Sequence, residues 1–125
     1  MSGVVVVLST VGRAEDADRI ARALVEERLA ACVNVVRGLV SVYRWKDAVE
    51  REEELLLVIK TRAERVGDLE ARLLALHPYE LPEVVVLPIG GGSEAYLGWV
   101  GESARSPPDP SAGPPAGPPR PRSPR

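Results

Sequence analysis

Cys32 to Tyr43 and Glu50 to Thr61 are two β-rich stretches of about a dozen residues each, twice the usual strand length, joined by one short turn. Few folds accommodate such a pair. In the first stretch Val33, Val35, Leu39, Ser41 and Tyr43 alternate with Cys32, Asn34, Val36, Val40 and Val42, so both faces are largely apolar. The second is polar at its start and apolar from Leu55 to Ile59. Trp45-Lys46-Asp47-Ala48-Val49 between them reads as a hairpin turn, and Gly38 marks a bulge. Strands this long project beyond their own domain as a ribbon, and something else must cover the projecting part.

The remaining segments fit around that ribbon. Val4 to Leu8 is a β-branched run, read as a covered central strand that ends in a loop at Ser9-Thr10-Val11-Gly12. Ala17, Ile20, Ala21, Leu24, Val25 and Leu29 share one helical face, with Glu15, Asp16 and Asp18 in the first turn, which predicts a helix over 14–30. Thr61 and Glu64 have capping-box spacing, so a second helix is expected from there to Leu76, stopped by Pro78. Leu81 to Ile89 reads as a fourth strand with Val84 to Leu87 buried, and Ser93 to Ala104 as a short closing helix or turn with Ser93 as the N-cap candidate. The order β-α-β-β-α-β is the split βαβ pattern of an α+β, ferredoxin-like sandwich, in which an antiparallel four-stranded sheet carries both helices on one face. Its other face would be a large bare apolar patch, so a homo-oligomer packed sheet against sheet is expected.

Composition narrows the setting. There is no Phe, so Val, Leu, Ile and Ala must fill the core. A net charge of −2 argues against a nucleic-acid partner, whose footprint is a basic face. The single cysteine, Cys32, excludes an internal disulfide, no apolar run is long enough for a membrane, and Val4 to Leu8 lacks a basic lead; a cytoplasmic location is expected. Residues 1–104 read as one domain and 105–125, rich in Pro, Gly and Arg, as a disordered tail.

Most of the unusual chemistry lies in His77-Pro78-Tyr79-Glu80-Leu81-Pro82-Glu83, at a helix-to-strand junction, where two prolines hold an imidazole, a phenol and two carboxylates in an extended path. His77 is the only histidine and the first metal candidate; its plainer role is to pack at the end of the second helix. One chain offers His77, Cys32 and acids such as Glu80 or Glu83, too few for a structural zinc site unless subunits pool ligands. Cys32 reads as a buried small residue, and a nucleophilic role would need His77 beside it. Lys60, at the end of an apolar strand, calls for an ion pair with Glu80 or Glu83, or for an anionic ligand in a subunit cleft. Glu50, Glu52, Glu53 and Glu54 read as a solvated, edge-protecting surface. Tyr43, Trp45, Tyr79, Tyr96 and Trp99 read as anchors of subunit contacts. Gly90-Gly91-Gly92 lacks the Lys-Ser/Thr of a nucleotide loop and reads as a hinge.

Ala30-Ala31-Cys32-Val33-Asn34, Ser41-Val42-Tyr43-Arg44-Trp45, Glu54 leading to Ile59-Lys60-Thr61, the His77 to Glu83 stretch and Tyr96-Leu97-Gly98-Trp99 together resemble the CutA divalent-cation tolerance family, from about Val4 to Ala104. The resemblance implies a ferredoxin-like, PII-like fold assembled as a tight homotrimer, and an association with divalent cations, with copper(II) bound by some members. It places copper ligands at a cysteine ending the first strand and at paired histidines before Pro-Tyr. Ser9 and Leu76-His77 stand there, so His77 is the retained metal candidate. The leading expectation is a non-enzymatic trimer that binds copper(II) or another divalent cation. A PII-like sensor holding a small anion through Lys60, Tyr79, Glu80 and Glu83 is the alternative. An enzyme using His77 and a carboxylate as acid and base ranks last, since no nucleophile, phosphate loop or cofactor motif accompanies them.

Overall fold

Eight residues of continuous strand, Val4–Val11, form β1, the central rail of a computed structural model that describes residues 3–106. It is followed by α1 (Ala14–Glu26), β2 (Cys32–Trp45), β3 (Ala48–Arg62), a 3-10 turn (Ala63–Arg65), α2 (Val66–Leu76), β4 (Val85–Pro88) and α3 (Glu94–Ser103). The sheet order is β2-β3-β1-β4, antiparallel throughout. This is the ferredoxin-like arrangement anticipated, with α3 added. The expected tail, apart from Arg105 and Ser106, lies outside the described residues.

Parity explains the layers. Val5, Val7, Ser9 and Val11 of β1 and Leu55, Leu57, Ile59 and Thr61 of β3 are buried and face the helices, where Ala17, Ile20 and Leu24 of α1 and Leu69 and Leu73 of α2 close the main core. Ser9 to Val11 belong to the strand, not to a loop, because β3 supplies ladder partners as far as the Val11–Leu55 pair. On the other face Val6, Leu8, Val36, Leu56, Val58, Val85 and Leu87 share one surface through the pairs Val6–Lys60, Leu8–Val58, Val36–Leu56, Val6–Leu87 and Leu8–Val85. Helix α3 covers only its Val4 end, where Val4, Ala31, Val100 and Ala104 form a second small core. Ser93 caps α3 as expected, its hydroxyl accepting the Tyr96 amide at 3.3 Å.

Three further boundaries differ from the sequence reading. Helix α1 ends at Glu26 because Arg28 takes φ 61° and the Leu29 and Ala30 amides both turn back to the Leu24 carbonyl; Leu29 is still buried, but from outside the helix. Thr61 does not cap α2, since β3 runs on to Arg62 and the Thr61 hydroxyl instead donates to the Leu29 carbonyl at 2.6 Å. Strand β4 is only Val85–Pro88, and its apolar residues are 40–46% exposed rather than buried, because it is an edge with one neighbour and no helix over its outer face.

The ribbon is longer than expected and turns tightly. Lys46 and Asp47, with φ 49° and 68°, form a two-residue hairpin closed by the Trp45–Ala48 pair, the backbone that matches strand twist best. Register slips between Val36–Leu56 and Leu39–Glu54, so β2 carries one extra residue, with Gly38 at φ 82°. That bulge inverts the parity of everything after it. Leu39, Ser41 and Tyr43 therefore lie on the same face as Cys32, Asn34 and Val36, not on the face of Val33 and Val35 as strict alternation implies.

Thr61→Val preserves shape but strands the Leu29 carbonyl in the core, and should lower the unfolding free energy by about 1–3 kcal/mol. Urea denaturation monitored by far-UV circular dichroism measures it; an unchanged midpoint would mean that this bond is dispensable.

Candidate functional site

The residues singled out by sequence gather into two clusters at opposite ends of the open face. At one end α2 stops at Leu76 and His77, extended at φ −79° and ψ 136°, carries its ring under the end of β1. The β1–β4 ladder stops at Leu8–Val85, and beyond it His77 Nε2 meets the Thr10 carbonyl at 2.7 Å. The Tyr79 amide donates to His77 Nδ1 at 3.1 Å, and the two rings lie 4.7 Å apart, tilted by 59°. An amide can only donate, so Nδ1 holds the lone pair and Nε2 carries the proton. The tautomer is set by geometry.

The Tyr79 hydroxyl then donates to Glu54 Oε2 at 2.5 Å. Glu54 is 7% exposed, a correction to its reading as part of the solvated acidic edge; Glu52 and Glu53 remain exposed. Its signal in the sequence was its parity with Leu56, Val58 and Lys60, which the run of neighbouring glutamates obscured. Gly12 was also missed. A Cβ there would stand 3.1 Å from the Tyr79 hydroxyl, a tight approach that would press on the phenol where it reaches Glu54. Desolvation pushes the Tyr79 phenol well above the ordinary tyrosine range, reinforced by the hydrogen bond to Glu54 and then by its charge. Glu80 and Glu83 are exposed beyond this clasp, with Leu81 between them at 72% exposure.

Lys60 anchors the other cluster. It pairs with Val6 and Cys32 across the sheet, donates from Nζ to Asn34 Oδ1 at 2.8 Å and sits 5.6 Å from the centre of the Tyr96 ring. Within one chain its partners are thus a neutral amide and an aromatic face, in place of the Glu80 or Glu83 carboxylate expected. Glu54 and Lys60 lie on one face of β3 six residues apart, roughly 20 Å at about 3.3 Å per residue. A single chain therefore does not unite Lys60 with Tyr79. Cys32, half-buried and reduced, belongs to the Lys60 end, away from His77.

The fit to a metal is poor. Among the described residues no three of His, Cys, Asp and Glu converge. Ser9, where the resemblance calls for a thiol, is sealed on the helix side with its hydroxyl unpartnered. Both His77 nitrogens are engaged by backbone groups.

The family model described as CutA1 divalent ion tolerance protein matches residues 5–103. The chain belongs to the CutA1 divalent ion tolerance family. The divalent-cation tolerance protein CutA of Thermus thermophilus is 54% identical over 98 residues, covering 78% of this chain and 95% of that protein. Its solved structure superposes with a TM-score of 0.78 at 53% identity, covering 80% of this chain and 97% of that one. The chloroplastic protein CutA of Arabidopsis thaliana is 45% identical over 102 residues, covering 82% of this chain; only 56% of that longer relative is spanned. A structure described as PII-like protein CutA from Nostoc sp. in apo form matches with a TM-score of 0.75 at 36% identity, covering 81% of this chain and 97% of that one. The α+β, PII-like fold is therefore shared with CutA proteins. The chloroplastic relative leaves this chain's compartment undecided, and among the described residues no helix is long and apolar enough to cross a membrane.

Tyr79→Phe removes the donor to a buried carboxylate and should cost about 1–3 kcal/mol at neutral pH. The wild-type phenol ionises near pH 10 when unfolded but later when folded, so its contribution is full below about pH 10 and is lost as pH rises above it. Urea midpoints at several alkaline pH values should fall more steeply for wild type than for Tyr79→Phe; parallel profiles would contradict the clasp.

Proposed function

We propose that this CutA1-family chain is a non-catalytic, cytoplasmic homotrimer of the divalent-cation response that works as a PII-like sensor, holding a small anionic ligand in the cleft between subunits. Lys60 supplies the charge, and Tyr79, Glu80 and Glu83 of a neighbouring copy border the cleft. The observation that carries this reading is the setting of Lys60: a cation on an apolar face that needs cover, whose partners among the described residues, Asn34 and the Tyr96 ring, are neutral. Covering such a face without a counter-charge is costly, so an anion at Lys60 offsets the desolvation. The projecting ribbon adds to the need for a neighbour, since Val42 and Val49 are 65% and 66% exposed. Cys32 and His77 lie in different clusters, which supports binding over turnover.

Copper(II) or another divalent cation bound at His77 is the other reading, favoured by the family's name and by the exposed Glu80 and Glu83 beside the ring's loop. It stands second because the one lone pair of the ring already accepts the Tyr79 amide.

Thermal unfolding of wild type and Lys60→Met, with inorganic phosphate, with citrate and with copper(II), separates the two. A ligand at 100 times its Kd adds about 2.7 kcal/mol, a readily measured rise in Tm. An anion-dependent rise in wild type that Lys60→Met abolishes is the expected result. No anion response, with stabilisation by copper(II) alone, would overturn the sensor reading.

A further inference from the structure

We infer that His77 is a positioning residue in this chain rather than a metal ligand: its imidazole staples the end of β1 to the loop after α2 and so sets Tyr79 on Glu54. The anion reading also places Tyr79 at its cleft, but the bonds argued from here lie within one chain and stand whether or not an anion binds at Lys60.

A neutral imidazole has one in-plane lone pair and one N–H. Here the N–H at Nε2 faces the Thr10 carbonyl at 2.7 Å, and the lone pair at Nδ1 takes the Tyr79 amide at 3.1 Å. His77 is 8% exposed, so its ring has little water to fall back on. A cation would have to displace the Tyr79 amide from Nδ1, or strip the proton from Nε2 and orphan the Thr10 carbonyl. Either route breaks a bond at a buried ring, a penalty that ligation must first overcome.

Among the described residues no group of three His, Cys, Asp or Glu side chains gathers at the ring to repay it, and Glu80 and Glu83 are exposed beyond it. Ser9 points to the helix side of β1, and an alcohol is in any case a weak donor to copper or zinc. Leu76 stands where the resemblance implies an imidazole, and Glu54 is held by the Tyr79 hydroxyl. The two bonds do have a structural consequence. They tie three segments together: the end of β1, the Pro78 to Glu83 loop, and β3 beside the bulge, through Tyr79 and Glu54. The ring takes over the sheet edge where β4 has ended, and holds the loop that presents Glu80, Leu81 and Glu83.

Because His77 is the only histidine, ring 15N labelling of the full chain reports on it alone. The Nε2–H tautomer is expected, with neither ring nitrogen shifting on stoichiometric zinc(II). Movement of Nδ1 with zinc(II), or loss of its signal with copper(II) while remote indole signals persist, would overturn the inference. His77→Asn keeps an acceptor near the Nδ1 position and His77→Ala does not. Hydrogen exchange at the Tyr79 amide should be slow in wild type and His77→Asn and fast in His77→Ala, with copper(II) uptake by native mass spectrometry the same in wild type and His77→Asn. Slow exchange in His77→Ala, or uptake abolished in a folded His77→Asn protein, would contradict it. If His77→Ala does not fold, wild type and His77→Asn still decide between the two roles.

Discussion

The antiparallel register of β1 against β3 is the contact on which the other placements depend. Eight successive pairs from Val4–Arg62 to Val11–Leu55 fix which residues of both strands face the helices and which face away. A slip of one residue would exchange the two sets, turning Lys60 and Glu54 to the helix side and Leu57 and Ile59 to the open face. The alternation that builds the core therefore also sends Lys60, Cys32 and Glu54 to the open face. Site and core are one decision.

Much of this was legible in the sequence, and the exceptions have physical causes. Helical period, Ser93 before α3, Pro78 after α2 and Gly38 in β2 all mark real features, because each acts locally through backbone conformation or a neighbouring bond. Thr61 misled because capping-box spacing is also compatible with a strand end, and a buried hydroxyl goes to the Leu29 carbonyl once tertiary packing brings it near. The faces of β2 beyond Gly38 were inverted because one extra residue changes parity, and its consequence reaches seven residues further to Trp45. Ser9 to Val11 read as a loop because the unbroken apolar run stops at Leu8, but β3 was long enough to pair with them.

For the candidate site, the sequence indicated His77, Tyr79 and Lys60 but not their grouping. Glu54, Thr10 and Gly12 come to His77 and Tyr79 from two other strands or their ends, contacts separated by up to 67 positions along the chain. Nothing local signals such a meeting. The expected pairing of Lys60 with the Glu80–Glu83 loop failed within one chain for the same reason, since both lie along one face but at opposite ends. The proposed trimer would bring the Lys60 end of one sheet and the Tyr79 loop of another to one cleft, and closed symmetry is the usual way for a chain to hide such an apolar surface.

Native mass of the full chain, followed by dilution over several orders of magnitude in concentration, tests this most directly. A trimer that persists on dilution, with Lys60 protected from amine-modifying reagents in the assembled form, is the predicted result. A folded monomer that keeps its cooperative unfolding, with Lys60 freely modified, would contradict the covered face and the cleft built on it.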